Sequence, residues 1–377
     1  MIKIEQRIWS ADKKKWEKKV GAGLKGNAQL VWVFGKRELL AETERFTELR
    51  KEYPSAHIIL GSSAGEIWNN QVLDNTIVAT AATFEKTQIK TASQNIKECA
   101  NSYEVGQKLG EKLEKNGLKH VFVLSDGLGV NGSELIAGLT HALPEGVIIT
   151  GGLSGDGAAF QCTLVGLDAP PQEHLVIAVG FYGEALKVGF GSVGGWDPFG
   201  PERIITKSEG NILYELDNQP ALQLYKAYLG EEAAKLPASG LKFPLSIRKD
   251  KNSEEAVVRT ILAIDEEKQS LTFAGDIPQG ALARLMKANF DRLIEGASEA
   301  ATRSTLEDND LAILISCVGR KLILGQRIDE EVESVKEKLG GNTFIAGFYS
   351  YGELAPGKAL NCLLHNQTMT ITTYKEI

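Results

Sequence analysis

One stretch of the chain decides the fold: it opens with VFVLSDG at 121–127 and closes with VIITGGLSGDG at 147–157. Both apolar runs are short, continuous and rich in Val, Leu, Ile or Phe, as expected for strands that are covered on both faces. A helix is predicted between them, around 132–143. A strand, a crossover helix and a second strand form a βαβ unit, which is almost always right-handed. The stretch therefore predicts two strands joined in this way, with a glycine-rich turn after the second.

The same order of segments occurs three times along the chain. An upstream copy runs from LVWVFG at 30–35 to HIILGSSAGEI at 57–67, and a downstream copy runs from LAILISCVGR at 311–320 to TFIAGFYSYGEL at 343–354. Each copy has a predicted helix in its middle and a turn that closes in Gly-acid. Self-similarity of this kind indicates repeated supersecondary units. We therefore expect three βαβ units, with their turns at the carboxyl ends of strands, where α/β sheets bind ligands.

Antiparallel strands are predicted after each turn. Examples are the segments at 75–93, 163–192 and 361–375, whose short β-rich runs broken by Gly, Pro, Asp and Asn indicate hairpins. The predicted fold class is therefore α/β, with mixed sheets built from repeated βαβ units and antiparallel hairpins.

The region between the second and third copies has a different pattern. It contains short strands and a meander, followed by a long amphipathic helix predicted over 283–304. We place a boundary near 195–220 and predict two domains, at 26–205 and 215–375.

Composition and charge indicate an ordinary globular protein. The chain has 377 residues, of which 43% are hydrophobic and 24% charged, with a formal net charge of -7. An acidic excess argues against a nucleic-acid binder, because such proteins need basic residues to neutralise phosphates. The N-terminus lacks the layout of a signal peptide, and no apolar run reaches the roughly 20 residues of a membrane-spanning helix. We expect a soluble, cytoplasmic protein without membrane insertion.

Five motifs, taken in their order and spacing, resemble a known family. They are GSSAGEI at 61–67, GGLSGDG at 151–157, ELDNQPALQLY at 215–225, GFYSYGELAP at 347–356 and LLHNQT at 363–368. Together they resemble the FIST family, whose members carry an N-terminal and a C-terminal FIST domain. The resemblance covers nearly the whole chain.

The resemblance implies a bacterial or archaeal signal-transduction sensor that binds a small molecule, with amino acids proposed as the ligand. Such sensors resemble input modules that act on a histidine kinase, a cyclic-dinucleotide enzyme or a chemotaxis protein. Because a chain of this length has no room for an output domain of its own, we expect its output to lie in a separate partner. A subgroup resembles haem proteins that sense nitric oxide and control a histidine kinase, and this is the alternative interpretation.

The Gly-acid turns are the first candidate ligand site. Exposed N–H groups in such turns bind carboxylates or phosphates, and the acids suit an ammonium group, so together they match an amino acid. The alternative is local, because Gly and Asp are common turn residues and the acids could cap the next segment or pair with Arg. None of the turns is a Walker loop or a G-x-G-x-x-G fingerprint, so a nucleotide cofactor is not indicated. The residues concerned are Ser62, Ser63, Gly65, Glu66, Ser154, Gly155 and Asp156.

A C-terminal cluster is the second candidate. Arg320 could hold a carboxylate in a bidentate fork. His365 could ligate haem iron, hydrogen-bond a ligand carboxylate or satisfy a neighbouring carbonyl, and it is a metal ligand only if haem is bound. The other members are Tyr349, Tyr351, Glu353 and Asn366.

Catalysis is not predicted. Cys317 and His365 invite comparison with a thiolate nucleophile and its base. Cys317 lies inside the apolar run LAILISCV at 311–318, however, where a buried thiol is inert. We therefore predict a binding protein, and the alternative from another class is a small-molecule enzyme that uses Cys317 or paired carboxylates.

Overall fold

The computed structural model describes residues 1–358 and 360–377. In that part of the chain, the strands form three six-stranded sheets and one eight-stranded sheet. Each six-stranded sheet contains both parallel and antiparallel pairs, so the predicted α/β class with mixed sheets is confirmed. No helix among these residues is long and apolar enough to cross a bilayer.

The first two repeats follow one another along the chain. The first contains β1 (Lys3–Ser10), β2 (Lys15–Gly21), β3 (Leu30–Gly35), α1 (Arg37–Leu40), α2 (Thr43–Glu52), β4 (His57–Ser62), β5 (Glu66–Trp68), β6 (Gln71–Leu73) and β7 (Thr76–Thr83). The second contains β8 (Gln88–Asn95), α3 (Ser102–Glu111), β9 (Leu118–Ser125), α4 (Gly132–Ala142), β10 (Ile148–Leu153), β11 (Val165–Leu167) and β12 (Leu175–Tyr182).

The third repeat is interrupted after its first strand, β13 (Leu186–Val193). The insertion contains β14 (Asp197–Glu209), β15 (Ile212–Leu216), β16 (Gln219–Pro220), α5 (Ala221–Leu229), β17 (Leu245–Arg248), β18 (Ala256–Arg259), β19 (Ile261–Asp265), β20 (Ser270–Phe273) and β21 (Leu282–Lys287). The repeat then resumes with α6 (Phe290–Ser304), β22 (Leu311–Cys317), α7 (Val318–Leu324), α8 (Ile328–Leu339), β23 (Phe344–Ser350), β24 (Gly352–Pro356), β25 (Cys362–His365) and β26 (Met369–Glu376).

Every repeat builds the same three-stranded centre. Two strands are parallel, and a third pairs antiparallel with the first of them, which gives the orders β4-β3-β7, β10-β9-β12 and β23-β22-β26. The strand at the start of each repeat (β1, β8 or β13) joins the outer side of that third strand. The three βαβ units expected from the sequence are all present.

The segment after each turn leaves its own repeat and completes another sheet. Strands β5 and β6 extend the third sheet beside β23, strands β24 and β25 extend the second beside β10, and β11 extends the first beside β4. The exchange is cyclic, so each sheet contains strands from two repeats. We call this three-sheet assembly the body. The division into two domains stays a prediction, because strands from both sides of residue 205 share the sheets of the body.

The three sheets of the body share an apolar interior. Strands β3 and β22 are buried along their whole length, as their uninterrupted apolar sequences predict. Trp32 of the first sheet contacts Phe122 of the second, with ring centroids 6.5 Å apart, and Tyr374 of the third, at 6.2 Å. Aromatic contacts of this kind add specific geometry to the burial of apolar area.

The insertion has a core of its own, in which Tyr225 of α5 packs with Phe273 of the eight-stranded sheet. The long helix predicted over 283–304 was wrong at its start, because these residues form β21 and then α6 instead of a single helix. Ala283 of β21 belongs to the insertion core, and the helix begins only where the side chain of Asn289 accepts a hydrogen bond from its first turn.

Candidate functional site

The three glycine-rich turns meet inside the body and are hydrogen-bonded to one another. The N–H of Ala64 donates to the carbonyl of Tyr349 (2.8 Å), and the N–H of Gly155 donates to the carbonyl of Ser62 (2.9 Å). We call these turns the turn cluster; its segments are 62–66, 154–156 and 349–353. The structure thus brings together residues that lie up to about 290 positions apart in the sequence. They form a packed cluster, in which most of the predicted site residues are buried.

Two acids of the turn cluster are fully buried. Glu66 accepts hydrogen bonds from the hydroxyls of Ser63 (2.5 Å) and Thr76 (2.6 Å). Glu353 accepts from the hydroxyls of Ser350 (2.8 Å) and Thr368 (3.0 Å). Burial raises the pKa of Glu66 to about 7 and that of Glu353 to about 8, because the charged form is poorly solvated. Each carboxyl therefore binds one hydroxyl of its own turn and one from another segment of the chain.

The third acid, Asp156, holds the segment that follows its turn. It accepts the backbone N–H of Phe160 (2.8 Å), those of the next two residues and the hydroxyl of Tyr351. The guanidinium of Arg37 lies 3.1 Å away. Burial acts to raise the pKa of Asp156, but the hydrogen bonds from Tyr351 and from the backbone outweigh it and lower that pKa. These contacts match the local alternative, in which the acid caps a segment and pairs with Arg.

The small residues of the turns have varied partners. The hydroxyl of Ser62 accepts the N–H of Leu164 (2.9 Å), and the carbonyl of Gly65 accepts the N–H of Tyr349 (2.8 Å). The hydroxyl of Ser154 is buried and has no hydrogen-bond partner among the described residues. A ligand role for these residues stays a prediction.

Arg320 does not face a ligand site in this structure. Its side chain is fully buried, its Nε lies 2.6 Å from Glu331, and its other donors bind the backbone carbonyls of Gly194, Leu293 and Gln367. We expected Arg320 to bind a ligand carboxylate with two N–H groups. In this structure its guanidinium has no free pair of donors for such a contact. The hydroxyl of Tyr349 donates to the same Glu331 (2.8 Å), so it too is engaged internally.

His365 is almost fully buried, and its Nε2 lies 3.1 Å from the carbonyl oxygen of Ala355. Burial lowers the pKa of this imidazole to about 4, so it is neutral at pH 7. Asn366 donates to the carbonyl of His365 (3.1 Å), while its own side-chain oxygen is buried without a partner in the described chain.

The surroundings of His365 do not fit haem. The nearby pocket carries four ionic side chains: Glu254, Glu255, Arg303 and Lys358. A haem slot needs large apolar walls around the axial histidine, whereas charged side chains form part of this lining. We therefore derive no step through haem.

A cavity of about 790 Å³ lies between the body and the insertion. Its walls come from α4, from β17 and β18 of the insertion, and from the exchanged strand β25. Apolar side chains such as Ile136, Ile247 and Leu363 line it together with a few charged ones. This size and composition are typical of sites for small organic molecules.

Arg259, at the end of β18, is the distinctive charge of this cavity. Only 6% of the residue is exposed, and no carboxylate of the described residues lies within 4.0 Å of its guanidinium. Its Nε donates to the carbonyl of Asp276 (3.2 Å), and one terminal nitrogen donates to the carbonyl of Leu364 (3.0 Å). Burial lowers the pKa of Arg259 to about 10, so the group keeps its charge at neutral pH.

Two acids lie on the same cavity wall. The carboxylate of Asp276 accepts from the side-chain amide of Asn131 (2.7 Å), and that of Glu255 accepts the N–H of Lys358 (2.7 Å). The cavity thus offers one buried cation and two carboxylates around an apolar interior.

The sequence analysis did not identify Arg259. It lies in VVRTILA, at 257–263, where it resembled one of the solvated charges of the meander. The available signal was an arginine between two apolar strand segments, followed by the loop GDIPQG at 275–280 that places Asp276 opposite it.

Comparison with protein-family models gives two adjoining matches. The model described as the FIST N domain matches residues 29–219, and that described as the FIST C domain matches residues 221–356. Among curated proteins, an uncharacterized protein of Methanocaldococcus jannaschii is 25% identical over 171 residues, which cover 42% of this chain and 32% of that protein. The match therefore spans about a third of the relative's length.

Proposed function

The chain belongs to the FIST family, whose domains are associated with sensory signal transduction, and from this premise we propose that it is a sensor for an amino acid or a similar small carboxylate in the Arg259 cavity. The family resemblance inferred from the turn motifs is confirmed. The ligand and its location are our proposal.

The observation that carries the proposal is the buried charge of Arg259, which makes no direct ion pair with a carboxylate of the described residues. A buried ion is costly, because three backbone carbonyls and the more distant charge of Asp276 replace only part of its hydration. A ligand carboxylate would supply a direct ion pair, and the planar guanidinium suits a carboxylate geometrically.

The remaining cavity chemistry supports an amino acid. Asp276 and Glu255 would attract an ammonium group, and the apolar walls near Ile136 and Val257 would cover a hydrocarbon side chain. An amino acid presents these three features on one small molecule.

Binding without turnover is part of the proposal. Cys362 lines the cavity, but burial raises the pKa of its thiol well above the usual range, as it does for Cys317. A thiol held in this form is a poor nucleophile. We propose that the signal passes to a separate partner, such as a histidine kinase, a cyclic-dinucleotide enzyme or a chemotaxis protein.

The position of the cavity suggests how binding would be transmitted. Contacts such as Asn131 with Asp276 and Arg259 with Leu364 join the insertion to the body at the cavity wall. A ligand that bridges the two units would change their relative position, as in hinge closure around a bound molecule.

The test is a binding screen of the wild-type protein against the twenty amino acids and simple carboxylates, by thermal shift and then by calorimetry. A ligand of the native state raises the apparent stability. We expect at least one carboxylate to bind, and Arg259→Gln to weaken it by tenfold or more, because the charge and the fork are lost.

Arg284→Gln is the matched control, because Arg284 lies on the same sheet of the insertion but is exposed. Arg259→Lys keeps the charge without the fork and should give intermediate affinity. Unchanged affinity in Arg259→Gln, with the fold preserved, would remove the cavity from the proposal.

A further inference from the structure

A second cleft lies on the other side of the contact between Asn131 and Asp276. It has a volume of about 410 Å³ and is formed by the loop at 127–131, by Phe160 and Tyr351 of the body, and by residues of the insertion. The loop follows β9, so the cleft opens at the carboxyl end of a strand of a parallel pair. Ligands of α/β sheets bind at such ends.

Phe160 is the most unusual residue of this cleft. Its ring stacks on Tyr351, with centroids 4.4 Å apart and an interplanar angle of 12°, yet the residue is 44% exposed. Its backbone has a φ of 51°, which is unfavourable for a bulky side chain. The protein therefore accepts both backbone strain and an exposed aromatic ring at one position. Such strain persists where the surroundings impose it, and it concentrates at functional sites.

The surroundings that hold Phe160 are those of the Gly-acid turn. Its N–H donates to Asp156 (2.8 Å) and lies 3.2 Å from the hydroxyl of Tyr351, which itself donates to Asp156. Asp156 and Tyr351, selected from the sequence as ligand contacts, thus act in this structure as positioning residues for the Phe160 ring.

The rim of the cleft is apolar on both sides. Leu128 of the body is 44% exposed and Leu262 of the insertion is 46% exposed. Leu153 and Phe273 extend the apolar lining, and both are buried. Three large exposed apolar side chains therefore surround this one cleft.

The polar groups of the cleft carry no net charge. Its lining contains no Asp, Glu, Lys, Arg or His, and its polar side chains include Asn131 and Asn211. The amide of Asn211 donates to the carbonyl of Phe273 (2.7 Å), which leaves its side-chain oxygen to accept a hydrogen bond from a ligand. Glycine at position 127 lets the loop lie close to the backbone of Ser154, since a Cβ there would lie 1.9 Å from the carbonyl oxygen of Ser154.

We propose that this cleft binds a neutral, planar heteroaromatic ring, which packs against Phe160 and between Leu128 and Leu262. Aromatic rings prefer stacked or edge-to-face contacts with one another, and the apolar rim covers the rest of the ring. An N–H on the ring, or on an amino or amide substituent of the ring, would donate to the side-chain oxygen of Asn211. A phosphate or carboxylate on the ring would find no cation in the lining, so charged derivatives bind no better than the free ring.

The test measures dissociation constants by calorimetry or ligand-observed NMR, with adenine, indole and nicotinamide as probes and adenosine monophosphate as the charged comparison. We expect at least one neutral probe to bind the wild-type protein, and Phe160→Ala to weaken it tenfold or more. Phe160→Trp, which keeps an aromatic surface, should stay within threefold. Leu322→Ala is the control, because Leu322 is 48% exposed on α7 and lies outside the cleft.

Several outcomes would overturn this proposal. They are the absence of binding by all three neutral probes, retained affinity in Phe160→Ala, and equal loss in Leu322→Ala. Loss of probe binding in Arg259→Gln but not in Phe160→Ala would place the ring in the other cavity. Self-association of the wild type that Phe160→Ala abolishes, measured by sedimentation without any probe binding, would identify the patch as a protein contact instead. The proposed binding of a small carboxylate in the Arg259 cavity is tested separately, by the Arg259→Gln variant.

Discussion

Glu353 illustrates, at the scale of one residue, what burial adds to a recognisable sequence motif. Its place in a Gly-acid turn suggested a ligand contact, whereas the structure gives the carboxyl hydrogen bonds from Ser350 and Thr368 in a fully buried setting. Burial raises its pKa to about 8, well above the ~4.3 of an exposed Glu. The folded protein therefore retains a proton that the unfolded chain releases.

This proton makes stability depend on pH. Between the unfolded and folded pKa values the native state binds more protons than the unfolded chain, so stability falls as pH rises through about 8. We expect the free energy of unfolding to fall by about 1 kcal/mol between pH 7 and pH 8.5 for this group. Urea unfolding at the two pH values measures it.

Glu353→Gln should remove most of that fall, because an amide does not titrate and can still bond to Ser350 and Thr368. Glu337→Gln on the exposed face of α8 is the control and should keep the wild-type dependence. An unchanged pH dependence in Glu353→Gln would show that this carboxyl is ionised in the folded protein.

At the scale of the elements, the glycines of the second parallel strands prove to be packing residues. A Cβ at Gly347 would lie 1.9 Å from the carbonyl oxygen of Leu314 on the neighbouring strand, and one at Gly151 would lie 1.9 Å from that of Val123. Glycine at the end of a strand allows either a positive φ or a close backbone approach, and the sequence does not decide between them. In the structure these two glycines allow the close approach of two strand backbones.

Gly347→Ala should therefore be strongly destabilising. The added methyl group meets backbone, which cannot move aside as a side chain does, so we expect a loss of roughly 3 kcal/mol or more in the free energy of unfolding. Gly341→Ala, where a Cβ would meet nothing within 4 Å, is the control and should change stability by less than about 0.5 kcal/mol. Chemical denaturation of both variants decides the matter, and equal stabilities would refute the packing account.

The strands and helices of the repeats were predictable, and their pairing partners were not. Strands such as β3 and β22 are buried on both faces, so their apolar runs are continuous and visible in the sequence. The strands β5, β6, β24 and β25 join the sheets of other repeats, and this pairing depends on which sheet edges lie next to each other in the folded protein. Arg259 escaped notice for the same reason, because β25 and α4, which line its cavity, are distant in sequence.

At the scale of the whole molecule, we expect the cyclic exchange to make the body one folding unit. The N-terminal segment 1–205 lacks β23, the strand with which β5 pairs in the third sheet. It also lacks β24, the strand that pairs with β10 in the second sheet. We expect this fragment alone to show no cooperative unfolding transition by circular dichroism. A sharp transition with native-like near-ultraviolet signal would show that the N-terminal part folds by itself.

The insertion should behave differently, because its ends lie side by side: Asp197 pairs with Lys287. Replacement of residues 198–286 by a short glycine linker should leave the body with a cooperative transition. The deletion removes Arg259 itself together with one wall of its cavity, so it should also abolish binding of the small carboxylate. Collapse of the body on this deletion would contradict the separation of its core from that of the insertion.

The central claim is that a ligand carboxylate reaches the guanidinium of Arg259, and the most direct measurement is the side-chain Nε–H resonance of that arginine in ¹⁵N-arginine-labelled protein. Its assignment follows from its disappearance in Arg259→Lys. We predict that the amino acid found in the binding screen shifts this resonance in proportion to occupancy, while that of the exposed Arg284 stays in place. Saturating binding that leaves the Arg259 resonance unmoved would contradict the account.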